Sequence, residues 1–387
     1  MGLLAGRRGK PAAGRATAAG TLAYSKTWGR ALDAGHYSDF QGGLKLSSLG
    51  LGTFPGRADD ATDRAIADIV HKGVTQGLNV IDTAAHYRYG RSLTAIAAGL
   101  ARAREEGVGR EGLWLMSKGG FVSFTGAPPP DTKSYIEAEI IARDLARRED
   151  CAGLHVLSPA YMRSQLDQSR AILGVETLDA FLVDQPEVHI ASMGKAAVIA
   201  RLADVFTELE RAVRDGAVGC YGVSSFHAFR VATDDAAFMS LASLVALAEK
   251  AAKAVWGDER QHHLALIELP FNAVMPEGFS RFNQVTGDGS EASTLQAALK
   301  LNLYTVASHG LFKGHLARQP LDILIQAMPA LANEARRALQ FNRSTPGLGT
   351  TLVGMSTPAH FEDVLAVART PLLTHSAYMG LYQRTDE

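Results

Sequence analysis

Short apolar runs alternate with longer segments of helical periodicity, and this alternation repeats eight times after about Leu44. The apolar runs end in polar or glycine residues, which is typical of strands buried in a parallel sheet. The longer segments carry apolar residues at intervals of three and four, as amphipathic helices do. The predicted strands are residues 48–53, 79–83, 113–117, 178–183, 218–224, 264–270, 303–307 and 351–354.

Eight helical segments fall between or after these strands. Eight strands joined by crossover helices predict an α/β fold that closes into a (β/α)₈ barrel of the TIM type. A doubly wound open sheet is the alternative, and it is disfavoured because no G-x-G-x-x-G sequence follows the first strand. The predicted helices are residues 60–76, 92–105, 158–173, 203–214, 237–252, 291–301, 321–339 and 358–368.

Two segments are too long for the minimal repeat and predict long loops where strands leave the barrel. Residues 121–153, with three consecutive prolines from Pro128, separate the third strand from its helix, and residues 271–290 follow the sixth strand. Insertions at strand ends often form lids or substrate walls. An inert surface role is equally compatible with the sequence.

The predicted domain organisation is a leader over residues 1–40, at least partly disordered, and a single barrel over residues 41–387. The first twenty residues are rich in Gly, Ala, Arg and Lys and lack the apolar stretch of a secretory signal. A basic arm that contacts a partner is the alternative function of this leader.

The composition excludes some classes of partner. A formal net charge of -1 gives no global attraction to nucleic acid or anionic lipid, and no apolar run is long enough for a membrane span. The two cysteines, Cys151 and Cys220, have neither disulfide-framework nor zinc-ligand spacing. We therefore expect a cytoplasmic protein that acts on a small molecule and holds no metal, with its oligomeric state open.

Three polar residues stand at the ends of successive strands, where a barrel of this class builds its site. Asp82 and Tyr87 follow the second strand, and Lys118 follows the third. An ammonium near a phenol stabilises the phenolate and lowers the phenol pKa, while a carboxylate beside the ammonium holds it in place. Each residue alone has a structural alternative, but the combination predicts proton-transfer chemistry.

The chain resembles the aldo-keto reductases from about Leu44 to Ala368. The stretch from His155 to Pro159 and the sequence Asp184-Gln185-Pro186-Glu187 look like a bacterial subgroup that typically has His-Asn-Pro-Glu there. The motifs that carry the wider resemblance are Gly50-Leu51-Gly52-Thr53-Phe54, Asp82-Thr83-Ala84 with Tyr87, Lys118, Leu178-Asp179, Phe181-Leu182-Val183, Gly222-Val223-Ser224-Ser225-Phe226 and Val353-Gly354-Met355-Ser356.

The resemblance implies a nicotinamide-dependent oxidoreductase with a changed catalytic tetrad. It implies that Tyr87 supplies a proton to a substrate carbonyl while Lys118 and Asp82 tune Tyr87. Asp184 stands where the family has a His that hydrogen-bonds to the carbonyl oxygen. A protonated Asp184 would assist, an ionised Asp184 would redirect the chemistry, and loss of the reductase activity is the third outcome.

Other substrates and functions stay open at this point. Steroid 5β-reductases carry Glu at this position and reduce a conjugated carbon–carbon double bond, so an enone is a further candidate substrate. A barrel with dehydratase- or cyclase-like activity, or a non-catalytic cofactor-binding subunit, is the alternative to a reductase. His189 is a minor candidate for replacing the missing His, and His86 and His309 are candidates for lining the pocket.

The resemblance also implies a binding site for NADP or NAD. Ser224 and Ser225 match a Ser-Asn pair that holds the carboxamide, Glu268 stands where Gln is usual, and Ser308 replaces an aromatic ring that stacks on nicotinamide. No Arg or Lys lies between residues 353 and 363, so a clamp for a 2′-phosphate is not evident. The full predicted set is Gly52, Thr53, Asp82, Ser224, Ser225, Glu268, Ser308, Leu311, Lys313, Gly354 and Ser356.

Overall fold

The computed structural model describes residues 11–286 and 289–383, and its centre is a closed barrel of eight parallel strands. All eight predicted strands are present, so the predicted (β/α)₈ fold is confirmed. The strands are β1 (Leu49–Gly52), β2 (Val80–Asp82), β3 (Trp114–Gly119), β4 (Leu178–Asp184), β5 (Val218–Ser224), β6 (Leu264–Pro270), β7 (Tyr304–Ser308) and β8 (Thr350–Gly354).

Eight helices follow the strands in order and cover the barrel. They are α1 (Asp60–Val74), α2 (Arg91–Glu105), α3 (Pro159–Leu173), α4 (Lys195–Arg214), α5 (Leu241–Trp256), α6 (Thr294–Lys300), α7 (Glu334–Arg343) and α8 (Pro358–Ala368). Caps set several starts: Asp59 accepts from the Thr62 amide at α1, and Ser158 accepts from the Tyr161 amide at α3.

Four predicted helices are wrong in their limits. The predicted helix 203–214 begins at Lys195, and the predicted helix 237–252 is Leu241–Trp256. The predicted helix 321–339 is two helices, Asp322–Ala327 and α7, because Asn333 caps a new helix by accepting from the Arg336 amide. The predicted helix 291–301 begins only at Thr294, where Ser293 and Gln296 form a capping box. The three residues before it form a strand, Glu291–Ser293, that pairs with Phe282–Val285.

The register of the barrel strands places several of the predicted site residues side by side on neighbouring strands. Gly52 of β1 pairs with Asp82 of β2, and Asp184 of β4 pairs with Ser224 of β5. Ser224 pairs in turn with Glu268 of β6. Because all eight strands are parallel, these positions lie together at the carboxyl end of the barrel.

Apolar side chains fill the barrel and separate it from its helices. Val80, Met116, Leu182 and Leu266 belong to an interior cluster, whereas the alternate strand residues pack against the helices. Phe40 joins the interior cluster from a hairpin, Tyr37–Phe40 with Leu44–Ser47. The barrel is therefore a packed core that is plugged at the end opposite the carboxyl ends of the strands.

The segment before β1 differs from the predicted leader. Residues 18–27 form a helix, Ala18–Thr27, and its Tyr24 is buried and donates to the Val74 backbone oxygen. The Ala16 amide donates to the Asp179 carboxylate at 2.7 Å. Residues 11–40 are thus packed on the barrel, and the rest of the predicted leader, residues 1–10, lies outside the described residues.

Both predicted insertions are present at the strand-exit end. The first contains a short helix, Thr132–Ile136, and a two-stranded hairpin, Cys151–Ala152 with His155–Val156. The second contains the helix Glu277–Ser280 and the strand Phe282–Val285. No helix among the described residues is long and apolar enough to cross a membrane.

Asp179 is a buried junction that can be tested. Its carboxylate accepts from the amides of Ala16 and Leu115 and from Arg110 Nη2 at 2.6 Å. Without this carboxylate the buried Arg110 guanidinium has no counter-ion. Asp179→Ala is therefore expected to lower the free energy of unfolding by about 3–5 kcal/mol in urea denaturation. Asp68→Ala, at an exposed pair with Arg102, is the control and should change it by less than about 1 kcal/mol. Equal effects of both variants would contradict this role.

Candidate active site

A buried ammonium, Lys118 Nζ, lies at the centre of the strand-exit end. It contacts the carboxylate of Asp82 directly and lies 3.0 Å from Glu268 Oε2. It also donates to the Tyr87 hydroxyl at 3.3 Å. Lys118 is only 1% exposed, so these contacts replace the hydration that burial removes. The structure thus brings together three of the four predicted catalytic residues.

The backbone around Tyr87 places its ring over this cluster. The next two residues, Arg88 and Tyr89, have φ values of 51° and 58°, so the chain turns sharply after Tyr87. The buried Arg88 side chain holds the turn by pairing with Asp63 at 2.5 Å and by donating to the Arg57 backbone oxygen. Strain of this kind is frequent where a site fixes a side chain.

The pKa of the Tyr87 hydroxyl is shifted in the direction opposite to the predicted one. Burial raises the pKa of Tyr87 well above its ordinary value, and Lys118 opposes this only in part because Asp82, Asp184 and Glu268 act with burial. The sequence predicted a lowered value from Lys118 alone. Tyr87 therefore keeps its proton at neutral pH, which suits a proton donor.

Asp184 lies at the same end of the barrel and is 5% exposed. The pKa of Asp184 is raised to about 7, mainly by burial and in smaller part by the Glu268 and Glu187 carboxylates, against the lowering effects of Lys118 and of a hydrogen bond from Ser224. A large share of the molecules therefore carries a protonated Asp184 near neutrality. Of the three outcomes expected from sequence, the raised pKa is compatible with a protonated Asp184.

Asp82 shares Lys118 with two other acids. Burial raises the pKa of Asp82, Lys118 lowers it, and Glu268 and Asp184 raise it again. The cluster contains one ammonium and the three carboxyl groups of Asp82, Asp184 and Glu268. Complete ionisation would leave an uncompensated negative charge in a buried site, so the cluster retains protons.

His189 does not reach this cluster. Its Nε2 lies 2.8 Å from His155 Nδ1, and His155 Nε2 lies 2.6 Å from the Asp184 backbone oxygen. Since a carbonyl only accepts, His155 carries its proton on Nε2 and accepts from His189. The pair thus holds the end of β4. A Cβ on Gly120, whose φ is 138°, would lie 2.3 Å from His155 Nε2.

Ser225 is fully hydrogen-bonded inside the protein. Its hydroxyl donates to Glu187 Oε1 at 2.6 Å and accepts from the amides of His227 and Ala228. Glu187 Oε1 also accepts from the amide of Phe226. A hydroxyl has one proton and two lone pairs, so Ser225 has no capacity left for a ligand. Ser225 therefore orders the loop after β5.

Ser224 and Glu268 are placed differently. Ser224 Oγ lies 3.5 Å from Glu268 Oε1, and Glu268 Oε2 is buried with no hydrogen bond although it pairs with Lys118. The two side chains face the same end of the barrel from neighbouring strands. They can offer a hydroxyl donor and a carboxylate acceptor to one polar group.

The other predicted cofactor residues lie around the rim of the barrel. Thr53 donates to the Asp82 backbone oxygen at 2.8 Å and so is a structural contact. Gly354 must be glycine because a Cβ would lie 2.5 Å from Pro55 Cγ. The remaining positions are partly or fully exposed and therefore accessible to a ligand: Gly52, Ser308, Leu311, Lys313 and Ser356.

Aromatic rings surround the site, and sequence reasoning found only some of them. Phe54 packs edge-on against Tyr87 with 5.1 Å between centroids, and Phe226 packs edge-on against His309 with 5.2 Å. The Lys118–Glu268 pair and the His155–His189 pair were also missed. The one available signal was a charged residue, Glu268, inside an apolar strand. No cluster of three potential metal ligands occurs in the part of the chain that the structure describes.

Comparison with known proteins identifies the family. The model of the Aldo/keto reductase family matches residues 48–237, which include β1 to β5 and the four predicted catalytic positions. Together with the fold, this match places the chain in the aldo-keto reductase superfamily, as the sequence motifs predicted. The match ends before β6 to β8. No curated protein sequence matches significantly.

Solved structures support the same fold. An aldo-keto reductase from Bacillus halodurans in its holo form has a TM-score of 0.58 at 15% identity and covers 89% of this chain and 95% of its own. One from Klebsiella pneumoniae, in complex with NADP and acetate, gives 0.58 at 16% identity, with 89% and 94% coverage. The thermostable Tm1743, in complex with epalrestat, gives 0.59 at 17%, with 89% and 98% coverage.

The raised pKa of Asp184 predicts a pH-dependent stability. The folded chain holds this proton up to about pH 7, whereas the unfolded chain releases it near the ordinary value of 3.8. Ionisation therefore costs the parent protein stability as the pH rises between these values. Asp184→Asn removes that cost, so its stability relative to the parent should increase from pH 4 to pH 7 and stay level above.

Melting temperatures of both proteins across this range provide the measurement. Asp68→Asn, at an exposed ion pair, is the matched control and should follow the parent at every pH. A constant difference between Asp184→Asn and the parent would show that Asp184 is ionised in the folded protein throughout.

Proposed function

We propose that this protein is an NAD(P)H-dependent oxidoreductase that reduces the carbonyl group of a small-molecule aldehyde, ketone or conjugated enone. The observation that carries this proposal is the buried contact set of Asp82, Lys118 and Tyr87 at the strand-exit end. The NADP-bound structure from Klebsiella pneumoniae, which shares the fold, supports the choice of cofactor. Two free thiols, Cys151 and Cys220, accord with a reducing cytoplasm.

Tyr87 is the proton donor in this proposal. Its pKa is raised mainly by burial, so the hydroxyl is protonated when a carbonyl substrate arrives. Lys118, 3.3 Å from that hydroxyl, stabilises the phenolate that is left when the proton is given to the substrate oxygen. Asp82 fixes Lys118 by direct contact. When bound, the nicotinamide cofactor supplies the hydride.

Asp184 donates a second hydrogen bond to the substrate oxygen. Only its protonated form can donate, and an ionised carboxylate would oppose the negative charge that grows on that oxygen. Burial, the largest contribution to its raised pKa, keeps this form populated up to about pH 7. A carbonyl or an enone could accept this hydrogen bond.

The residues fit a nicotinamide carboxamide with altered roles. Ser224 can donate to the carboxamide oxygen, and Glu268 Oε2, which pairs with Lys118 but has no hydrogen bond, can accept from its NH₂ group. Ser225 cannot contribute because its hydrogen bonds are all made within the protein. Lys313, exposed after β7, is the residue we assign to the pyrophosphate, with Ser356 near the adenosine end. These residues leave both NADP and NAD possible.

A second function is favoured by one set of observations. Ser225 is occupied, Ser308 provides no ring for stacking, and the family match ends at residue 237. A barrel that has lost nicotinamide binding and carries out dehydration or cyclisation, or serves as a non-catalytic subunit, would have these features. Fluorescence titration with NADH and NADPH separates the two functions: binding supports the reductase, and no binding at millimolar cofactor supports the alternative.

Tyr87→Phe tests the proton donor. The variant keeps the ring that packs on Phe54 but loses the proton, so kcat/KM with a carbonyl substrate should fall at least about 100-fold. Cofactor affinity should stay within about twofold because the hydroxyl does not bind the nucleotide. Tyr89→Phe, two residues away on the exposed side of the same turn, is the control. Parent-like turnover by Tyr87→Phe would exclude this mechanism.

The pH profile tests Asp184. Since the protonated form is the donor, kcat/KM measured with saturating cofactor should decrease as the pH rises through about 7. Asp184→Asn has a neutral donor at every pH, so this decrease should be absent from its profile. An identical decrease in both proteins would assign the titration to another group.

A further inference from the structure

His86 is a partly buried imidazole without a protein partner beside the proposed proton donor. Its ring lies edge-on to Tyr87, with 4.8 Å between centroids and an interplanar angle of 84°. A second ring, Phe121 from the insertion after β3, lies 5.1 Å away. His86 Nδ1 is buried and forms no hydrogen bond with any residue that the structure describes.

Aromatic rings enclose His86 on two sides. The ring lies between Tyr87 and Phe121, and the side chain is only partly exposed. Neither ring nitrogen has a hydrogen bond to a described residue, and Nε2 is the nitrogen that remains accessible, because Nδ1 is buried. Nδ1 therefore stays without a partner, whereas Nε2 is free to bind a polar group of a ligand.

The surroundings of His86 keep it neutral. Burial, with smaller contributions from the Lys118 ammonium and His155, lowers its pKa to about 3. The charged and titratable groups that face it are these two and Tyr87, from β3, the first insertion and its own turn. A neutral imidazole has one N–H and one lone pair. It can therefore take part in one hydrogen bond at the open Nε2, as donor or acceptor according to the tautomer.

A hydroxyl group suits this nitrogen best. It can donate or accept, so it satisfies either tautomer of His86, whereas an ether or carbonyl oxygen satisfies only one. The neighbouring aromatic groups Phe54 and Phe121 offer no other hydrogen bond to a ligand. His86 is thus the polar group of an otherwise apolar wall beside Tyr87.

We propose that His86 is a specificity-determining residue that binds a hydroxyl group on the carbon next to the reacting carbonyl. The proposal rests on the proposed function of Tyr87, since adjacent side chains would hold adjacent oxygens of one substrate. The substrate class is then α-hydroxy ketones and aldehydes. Simple alkyl ketones, which leave His86 unpaired, are bound and reduced less well.

Two isosteric ketones test this inference. 2-Hydroxyacetophenone and 1-phenyl-1-propanone differ only by a hydroxyl in place of a methyl group, so their shape is nearly constant. One hydrogen bond between uncharged groups predicts a preference for the hydroxy ketone of about 10-fold, in the dissociation constant by calorimetry and in kcat/KM with whichever cofactor binds. His86→Phe keeps the ring packing and should reduce both ratios to near one, whereas His86→Gln keeps a hydrogen-bonding group and should retain most of the preference.

The outcomes separate this inference from the proposed function. If the protein binds neither NADH nor NADPH, the proposed function fails, but calorimetry on the protein alone still measures the ratio for His86. Equal binding of the two ketones by the parent, no binding of either, or a preference that persists in His86→Phe would overturn the role of His86. Loss of the preference in both His86→Phe and His86→Gln would also overturn it, because the effect would then be one of packing.

Discussion

The contact of Lys118 with the carboxyl groups of Asp82 and Glu268 is the interaction on which the site depends. A buried ammonium is stable only when nearby negative charge replaces its lost hydration. Asp82 comes from β2 and Glu268 from β6, so the contact joins opposite sides of the barrel mouth through β3. Lys118 also donates a hydrogen bond to the Tyr87 hydroxyl, and its positive charge lowers the pKa values of Asp82, Tyr87 and Asp184 against the effect of burial.

Two changes from the family pattern act on this same centre. Asp184 replaces a His and Glu268 replaces a Gln, so each adds an acid beside a single ammonium. Burial above all, and Glu268 as a smaller contribution, raise the pKa of Asp184 to about 7 although Lys118 opposes them. The two departures are therefore coupled, and in the function that we propose they let Asp184 donate a hydrogen bond.

The barrel was predictable from sequence because each βα unit has a local signature. All eight strands are found within a few residues of the predicted limits, since apolar runs and turn residues are short-range features. Two of the wrong helix limits depend on single capping residues, Asn333 and Ser293. The packing of residues 11–40 depends on Asp179, far away in sequence, which no local pattern reveals.

The candidate site was predictable in its members but not in its contacts. Asp82, Tyr87 and Lys118 were placed together because strand ends converge in a barrel. The Lys118–Glu268 pair depends on register across the barrel, and the occupation of Ser225 depends on Glu187 from another loop. The sign of the pKa shift of Tyr87 was missed for the same reason, since it depends on burial and on acids from three strands.

Carbon-13 NMR of the aspartate side-chain carboxyls measures the protonation state of Asp184 directly. A pH titration of the parent protein, compared with Asp184→Asn, assigns the signal that disappears to Asp184. This signal is expected to titrate near pH 7, well above an ordinary aspartate. A midpoint below about pH 5 would contradict it, because Asp184 would then be an ionised carboxylate at neutral pH and could not donate a hydrogen bond to the substrate.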